Sequence, residues 1–337
     1  MSQESDRSTW PGISVVMPVV NEEPYLADAV ERIITQGYPG DLELIIAVGP
    51  SRDRTAEIAA ELAATRPGVV VVDNPVGKTP HGLNRAIARA QHPVIVRADG
   101  HGELGPDYLT TAVELLERTG AVNVGGVMDA RGRTGFQEAA AAAYTSRLGL
   151  GGGAFHHEDS PEGPAETVFL GVFRAEALRE VGGFDEDFHR AQDWELNLRL
   201  RRAGGLIWFS PRLTVRYYPR SSPAALARQF YLTGKWRREV IRRHPETASL
   251  RYLAPPVAVI GIATGTAVGL AGLVGRHWTR LGLLAPLLYV LGVLAGSTLP
   301  KGLSPQARAW LPAVYAIMHL CWGAGFLVGL SDAQRRA

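Results

Sequence analysis

The chain has 337 residues, 46% of them hydrophobic, a formal net charge of +2 and a single cysteine. That length holds two ordinary domains, and so small a charge, with no Lys/Arg block interleaved with aromatics, excludes nucleic acid as an expected partner. Cys321 lies alone in an apolar run, which excludes a disulfide framework and a cysteine-based metal site.

The apolar residues are unevenly spread. Up to about Glu246 the sequence reads as a soluble α/β protein, and from Leu253 to Leu330 it is dominated by long apolar runs. The expected division is a tail at 1–12, a catalytic domain at 13–220, basic amphipathic helices at 221–252, three membrane helices at 253–331 and a tail at 332–337. The first tail is polar and acidic, without the basic lead and apolar core of a signal peptide, so the globular part is expected in the cytoplasm.

Ile13 to Pro18 reads as a strand, with Asn21 as the N-cap of a helix that has Glu22, Glu23 and Pro24 in its first turn. Leu26, Val30, Ile33 and Ile34 follow at helical spacing. Leu42–Val48 is a second strand, Ser51 and Asp53 begin a second helix, and Val69–Val72 is a third strand. Leu83 and Ile87 mark a helix after Gly77-Lys78, and Val94–Val96 is a fourth strand. Such alternation gives parallel βαβ units with ligands at the carboxyl ends of the strands. Here that end reads Arg97-Ala-Asp-Gly-His101, which offers two cation ligands, with Gly100 allowing a tight turn between them. A solvated turn is the plain alternative.

Further on, Pro106–Leu116 reads as a helix, Ala121–Val127 as a strand and Gln137–Leu148 as an Ala-rich helix. The segment Gly151 to Pro164 has no periodicity and reads as a mobile loop suited to an active-site flap. Phe169–Phe173 is a strand, Ala175–Val181 a helix and Phe184–Phe188 an acidic turn. Asp193 opens the next helix, where the macrodipole favours its anion, as suits a general base; the same carboxylate could serve only as a cap. Leu206–Phe209 and Leu213–Tyr218 are strands. The helix from Ala225 to His244 carries Arg228, Lys235, Arg237, Arg238, Arg242 and Arg243 among Phe230, Trp236 and Ile241, a composition suited to an anionic membrane surface.

Three runs, about Ala254–Val274, Leu281–Leu299 and Leu311–Leu330, approach the roughly 20 residues that a bilayer core requires, and none contains Lys, Arg, Asp or Glu. The basic stretch before them puts the catalytic domain at the cytoplasmic face, and three crossings would place Ala337 outside, a poor fit for Arg335 and Arg336.

In order and spacing, Ile13–Pro18 with Asn21-Glu22, Ser51-Arg-Asp-Arg-Thr55, Asp99-Gly-His101, Gly182-Gly-Phe-Asp-Glu186 and Gln192-Asp-Trp-Glu195 resemble an inverting family 2 glycosyltransferase of the GT-A fold. The resemblance runs from about Ile13 to His244. Within the family the chain is similar to the succinoglycan-biosynthesis glucosyltransferase group, through Arg97–His101, Asn123–Gly126, Thr167–Arg174, Arg190–Arg199 and Tyr218-Pro-Arg220 with Arg228-Gln229.

The resemblance implies a Rossmann-like α/β domain with a mixed, mostly parallel sheet, followed by an α-helical membrane domain. It implies Asp193 as catalytic base, and Asp99 and His101 as ligands of a divalent cation, Mn²⁺ or Mg²⁺, at the donor diphosphate. Pro18, Asn21, Glu22, Ser51, Asp53 and Asp99 fall at donor positions; Arg228, Gln229 and Trp236 match a loosened Gln-x-x-Arg-Trp element; and Leu170, Gly171, Arg190, Gln192 and Trp194 fall at acceptor positions. The expected partners are a nucleotide-diphosphate sugar, a lipid-linked or growing glycan acceptor and membrane lipids.

Two departures stand out. Val48 occupies the place of the usual base-contacting acid, where Lys78 could reach the nucleotide and Asp73 could supply the missing carboxylate, and His101 replaces a second acid. The loosened spacing from Gln229 to Trp236 points away from processive synthesis. Transfer onto bare polyprenyl phosphate and a non-catalytic nucleotide-binding module are the alternatives. No Gly-x-Gly-x-x-Gly follows the first strand, against a dinucleotide oxidoreductase.

Overall fold

The computed structural model describes residues 10–150, 153–157, 159–331 and 334. The expected acidic tail up to residue 9, and Arg335 and Arg336, lie outside the described residues. The chain divides into two compact units, residues 1–129 with 157–217, and residues 130–156 with 218–337.

The first unit is a twisted sheet flanked by helices. Its opening half follows the strand–helix alternation of the sequence: β1 (Ile13–Val19), α1 (Leu26–Ile34), β2 (Leu42–Val48), α2 (Thr55–Thr65), β3 (Val69–Asp73), α3 (Thr79–Arg89) and β4 (Val94–Arg97). These four strands lie parallel in the order β3-β2-β1-β4. Ile13, Val15, Val16 and Met17 of β1 are at most 1% exposed, as expected for a parallel strand covered on both faces.

The rest of the unit comprises β5 (Glu103–Leu104), α4 (Tyr108–Thr119), β6 (Asn123–Ala130), then after the interruption β7 (Gly163–Pro164), β8 (Phe169–Arg174), α6 (Ala175–Glu180), α7 (Gln192–Arg202) and β9 (Ile207–Tyr217). They extend the sheet as β4-β8-β6-β9-β5, with β7 also on β9. β8 runs antiparallel to β4, Val96 opposite Val172. The mixed α/β sheet followed by helices therefore stands as expected.

Three local expectations are corrected. Asn21 does not cap α1, which starts at Leu26; Asn21 sits at φ 55, a left-handed conformation that Asn tolerates better than most residues. The two strands expected at 206–209 and 213–218 are one, β9. β7 covers its start at Trp208 and Phe209 and β5 its end at Val215 and Arg216. The segment from 151 to 164 is partly ordered, with a 3₁₀ turn at Ala154–His156 and β7 near its end, although residues 151, 152 and 158 lie outside the described residues.

The second unit is helical: α5 (Gly135–Thr145), α8 (Pro223–Arg243), α9 (Leu250–Val274), α10 (Leu284–Gly296) and α11 (Pro305–Val328). Thr134 and Ser222 cap α5 and α8 through their hydroxyls. The second apolar run starts as a 3₁₀ turn, His277–Leu283, that packs back on α9; Gly265, Gly269 and Gly282 leave no room there for a side chain.

Candidate functional site

The carboxyl ends of β1 and β4 open into a cleft of about 200 Å³ lined by Pro18, Val19, Val20, Glu22, Asn74, Gly77, Thr79, Arg97, Asp99, Gly100 and His101. This is the strand-end position expected of a ligand site in such a sheet. The backbone register builds it directly: Val16 lies opposite Arg97, and the N–H of Ala98 bonds the Val16 carbonyl at 3.0 Å, which sets Asp99 beside Pro18.

Arg97 is the centre of the arrangement. It is an arginine in a strand whose other residues are valine and isoleucine, and its side chain is only 6% exposed. One guanidinium nitrogen bonds Asp193 and another bonds Asp99 at 3.2 Å. Burial works against its charge, but Asp193 and then Asp99 more than restore it, so its pKa is raised and it stays a cation. Among the described residues, its buried Nε has no acceptor. A cation with an unused donor at the floor of a cleft suits an anionic ligand.

Asp193 reaches Arg97 from the first turn of α7, whose N-cap, Ala191, is held at φ 60. A non-glycine residue in the left-handed region costs energy and recurs at functional sites. Leu170 at φ 39 is a second case: it is buried, and its carbonyl accepts the Tyr108 hydroxyl at 2.9 Å. Because β8 is antiparallel to β4, Leu170 and Gly171 flank the Arg97–Asp99 end of that strand. A side chain at Gly171 would collide with Asn123 and the Phe173 ring. Arg190, Gln192 and Trp194, all half-buried, surround Asp193 in sequence.

His101 closes the other end. Its Nδ1 lies 2.8 Å from Glu22 Oε1, the carboxylate–imidazole pairing that commonly orients a ligating histidine. Gly100 lies in the expected tight turn, closed by the Gly102 N–H on the Asp99 carbonyl at 3.0 Å; it lacks a positive φ, and its use is space, since a Cβ there would lie 3.0 Å from Val19 and 3.1 Å from Glu22. Asp99 and His101 could supply two protein ligands, and among the described residues no group of three or more acids, histidines or cysteines converges on a metal position. That donor set fits a cation held partly by substrate phosphates and water rather than a closed protein cage.

Other expected donor residues have structural partners. Asn21 donates its N–H to Ser51 Oγ (3.1 Å) and accepts from the Arg52 N–H (2.8 Å). Asp53 accepts from the Glu23 N–H and from the N–H and hydroxyl of Thr55; the Thr55 hydroxyl bond, foremost, lowers its pKa. Ser51 and Asp53 thus tie the β1–α1 turn to the start of α2 and hold Glu22 in place. Lys78 precedes α3, with Gly77 and Thr79 lining the cleft on either side of it. Arg228, Gln229 and Trp236 lie on α8 of the second unit: Arg228 is exposed, Trp236 is buried and Gln229 accepts from the Tyr144 hydroxyl at 3.4 Å.

Sequence reasoning did not assign Asn74, Thr79 or Arg97 to the site. For Arg97 the signal was present, a charge inside an otherwise apolar strand.

The sequence profile of Glycosyl transferase family 2 matches residues 14–182. Succinoglycan biosynthesis protein ExoA of Rhizobium meliloti (strain 1021) is 34% identical over 334 residues, 98% of this chain and 99% of that protein. A Methanococcus voltae protein named dolichyl N-acetyl-alpha-D-glucosaminyl phosphate 3-beta-D-2,3-diacetamido-2,3-dideoxy-beta-D-glucuronosyltransferase is 27% identical over 241 residues, 68% of this chain and 74% of that one. Among solved structures, S. aureus TarS 1-349 aligns with a TM-score of 0.48 at 14% identity, over 94% of this chain and 90% of that one.

Proposed function

The chain belongs to glycosyltransferase family 2, and on that premise we propose that it moves a single hexose, with inversion, from a nucleotide-diphosphate sugar to a lipid-linked or growing polysaccharide acceptor. The reaction takes place at the cytoplasmic face of the membrane that holds its apolar helices. The observation that carries this reading is Arg97, buried at the floor of the cleft with Asp99 on one side and Asp193 on the other.

Asp193 is the base. Arg97 and its place in the first turn of α7 aim it to take the proton of an acceptor hydroxyl as that oxygen attacks the anomeric carbon. Asp99 and His101 hold a divalent cation, Mn²⁺ or Mg²⁺, together with the donor diphosphate, and Glu22 fixes the imidazole. When bound, the cation supplies positive charge where the departing diphosphate accumulates negative charge. Pro18, Asn21, Glu22, Ser51, Asp53 and Lys78 form or brace the donor side, and Leu170, Gly171, Arg190, Gln192 and Trp194 the acceptor side.

The two relatives support an acceptor that already carries sugar. One is named for succinoglycan biosynthesis, and the other for acting on dolichyl N-acetyl-alpha-D-glucosaminyl phosphate. The test is transfer of labelled hexose from a panel of nucleotide sugars to a polyprenyl-diphosphate-linked sugar and, in parallel, to bare polyprenyl phosphate. Transfer to the sugar-bearing lipid is the expected result, and transfer to the bare phosphate alone would overturn it.

A further inference from the structure

Among the described residues, three helical stretches are long and apolar enough to cross a bilayer: α9, the turn with α10, and α11. α11 differs from the other two. In its most apolar stretch 33% of residues are buried inside the protein, against 11% for each of the others.

It packs on α8, α5 and α9, with Gly323 against Pro255 and Val259 of α9 and His319 beside Tyr289 of α10, and α5 and α8 hold both of its ends by polar contacts. At the start, the Ser304 N–H and hydroxyl donate to the Glu138 carboxylate of α5 at 2.8 and 2.6 Å. At the finish, Arg238 of α8 donates to the carbonyls of Phe326 (3.3 Å) and Leu327 (2.6 Å), and Lys235 Nζ lies 2.8 Å from Gln334 Oε1. Between these points Gly234 admits the backbone of Trp322 and Phe326, and Gly325 that of Tyr231.

Neither α5 nor α8 can be carried across a bilayer. α5 has 11 residues, about 16 Å of helix against a hydrocarbon core of about 30 Å. α8 places Lys235, Arg237, Arg238, Glu239, Arg242 and Arg243 in its final turns. If α11 crossed with Val328 on the far side, this charged end of α8 would be there too. α9, which begins shortly after it at Leu250 and packs through Tyr252 on Trp322, would then start on the wrong side. If α11 crossed with Pro305 on the far side, Glu138 would follow with Arg131 and Arg133, and no apolar span leads to them.

Building on the membrane anchoring proposed above, we propose that only α9 and α10 cross the bilayer, and that α11 lies in the interfacial layer of the leaflet from which α9 starts. The side chains of that layer have interfacial character: Trp322 stacks with Tyr252, Arg237 lies 3.9 Å over the Tyr252 ring, and Trp310 is 43% exposed. Two crossings also keep the end of α11 on the same side as basic α8.

The test uses the full chain with Cys321→Ser and one new thiol at a time, Ala248→Cys before α9, Arg276→Cys between α9 and α10, or Ser331→Cys after α11. Each is exposed to a membrane-impermeant maleimide in sealed vesicles of either orientation and again in detergent. Ser331→Cys is expected to label from the same face as Ala248→Cys, with Arg276→Cys labelling from the other. Ser331→Cys labelling together with Arg276→Cys would overturn the proposal, as would all three labelling from one face. A Ser331→Cys thiol shielded from both faces but reactive in detergent would also overturn it. Release of the chain by alkaline carbonate without detergent would instead defeat the membrane anchoring itself.

Discussion

Arg97 and Asp193 form an ion pair across 96 residues of sequence, and the same guanidinium holds Asp99. One buried cation thus sets the spacing of the two carboxylates to which the proposed chemistry assigns donor and acceptor. Arg97→Met leaves both carboxylates facing a site without compensating charge. Arg97→Lys keeps the charge but loses the two-pronged geometry. The lysine variant is expected to fold, with a midpoint of denaturation near that of the parent, and to lose at least about tenfold in kcat, since such misplacement costs one to two decades. A lysine variant with parental kcat would show that the fork is not needed.

Glu22 and His101 carry the metal side of the proposal. Glu22→Gln removes the carboxylate behind Nδ1, and a lost outer partner of this kind lowers metal affinity about 10- to 100-fold. Titration of Mn²⁺ in the presence of nucleoside diphosphate is expected to show that loss for Glu22→Gln and a greater one for His101→Ala and Asp99→Ala. Chelation with EDTA should stop transfer, and added Mn²⁺ or Mg²⁺ should restore it. Transfer that survives chelation would rule out the metal.

His189 lies in the loop leading to α7. Burial foremost, then Lys78 and His81, lower its pKa below the ordinary histidine value, with Asp187 opposing in part. In the unfolded chain the imidazole takes up its proton near pH 6.5, whereas the folded protein resists it. Folding stability is therefore undiminished above that pH and declines as the pH falls below it. Thermal unfolding in detergent between pH 7.5 and 5 is expected to show the decline, and His189→Asn to flatten it. An unchanged slope in His189→Asn would assign the pH dependence elsewhere.

Much of the first unit was legible because its strands and helices are short, strongly patterned and joined by brief turns. Asp99 and His101 could be placed at a strand end from local sequence alone. Their setting could not. Arg97 shows in the sequence only as a charge in an otherwise apolar strand; its partners appear when the sheet buries it and α7 brings Asp193 to it. Asn21 was misread because the residue that caps helices also tolerates a left-handed backbone, and the tie to Ser51 and Arg52 that selects the second use comes from 30 residues away. Composition likewise could not distinguish α11 from α9. The two differ in their partners, and the contacts with Glu138 and Arg238 arise only in the folded second unit.

Asp193→Asn tests the central claim most directly. The amide keeps the shape of the side chain and can still accept from Arg97, but it cannot take up the acceptor proton. Loss of a general base reduces turnover by about 10²- to 10⁴-fold. The measurement is hexose transfer by Asp193→Asn beside calorimetric binding of the nucleotide sugar with Mn²⁺. The account predicts a fall in kcat of that order with donor affinity near that of the parent. Full turnover in Asp193→Asn would contradict it.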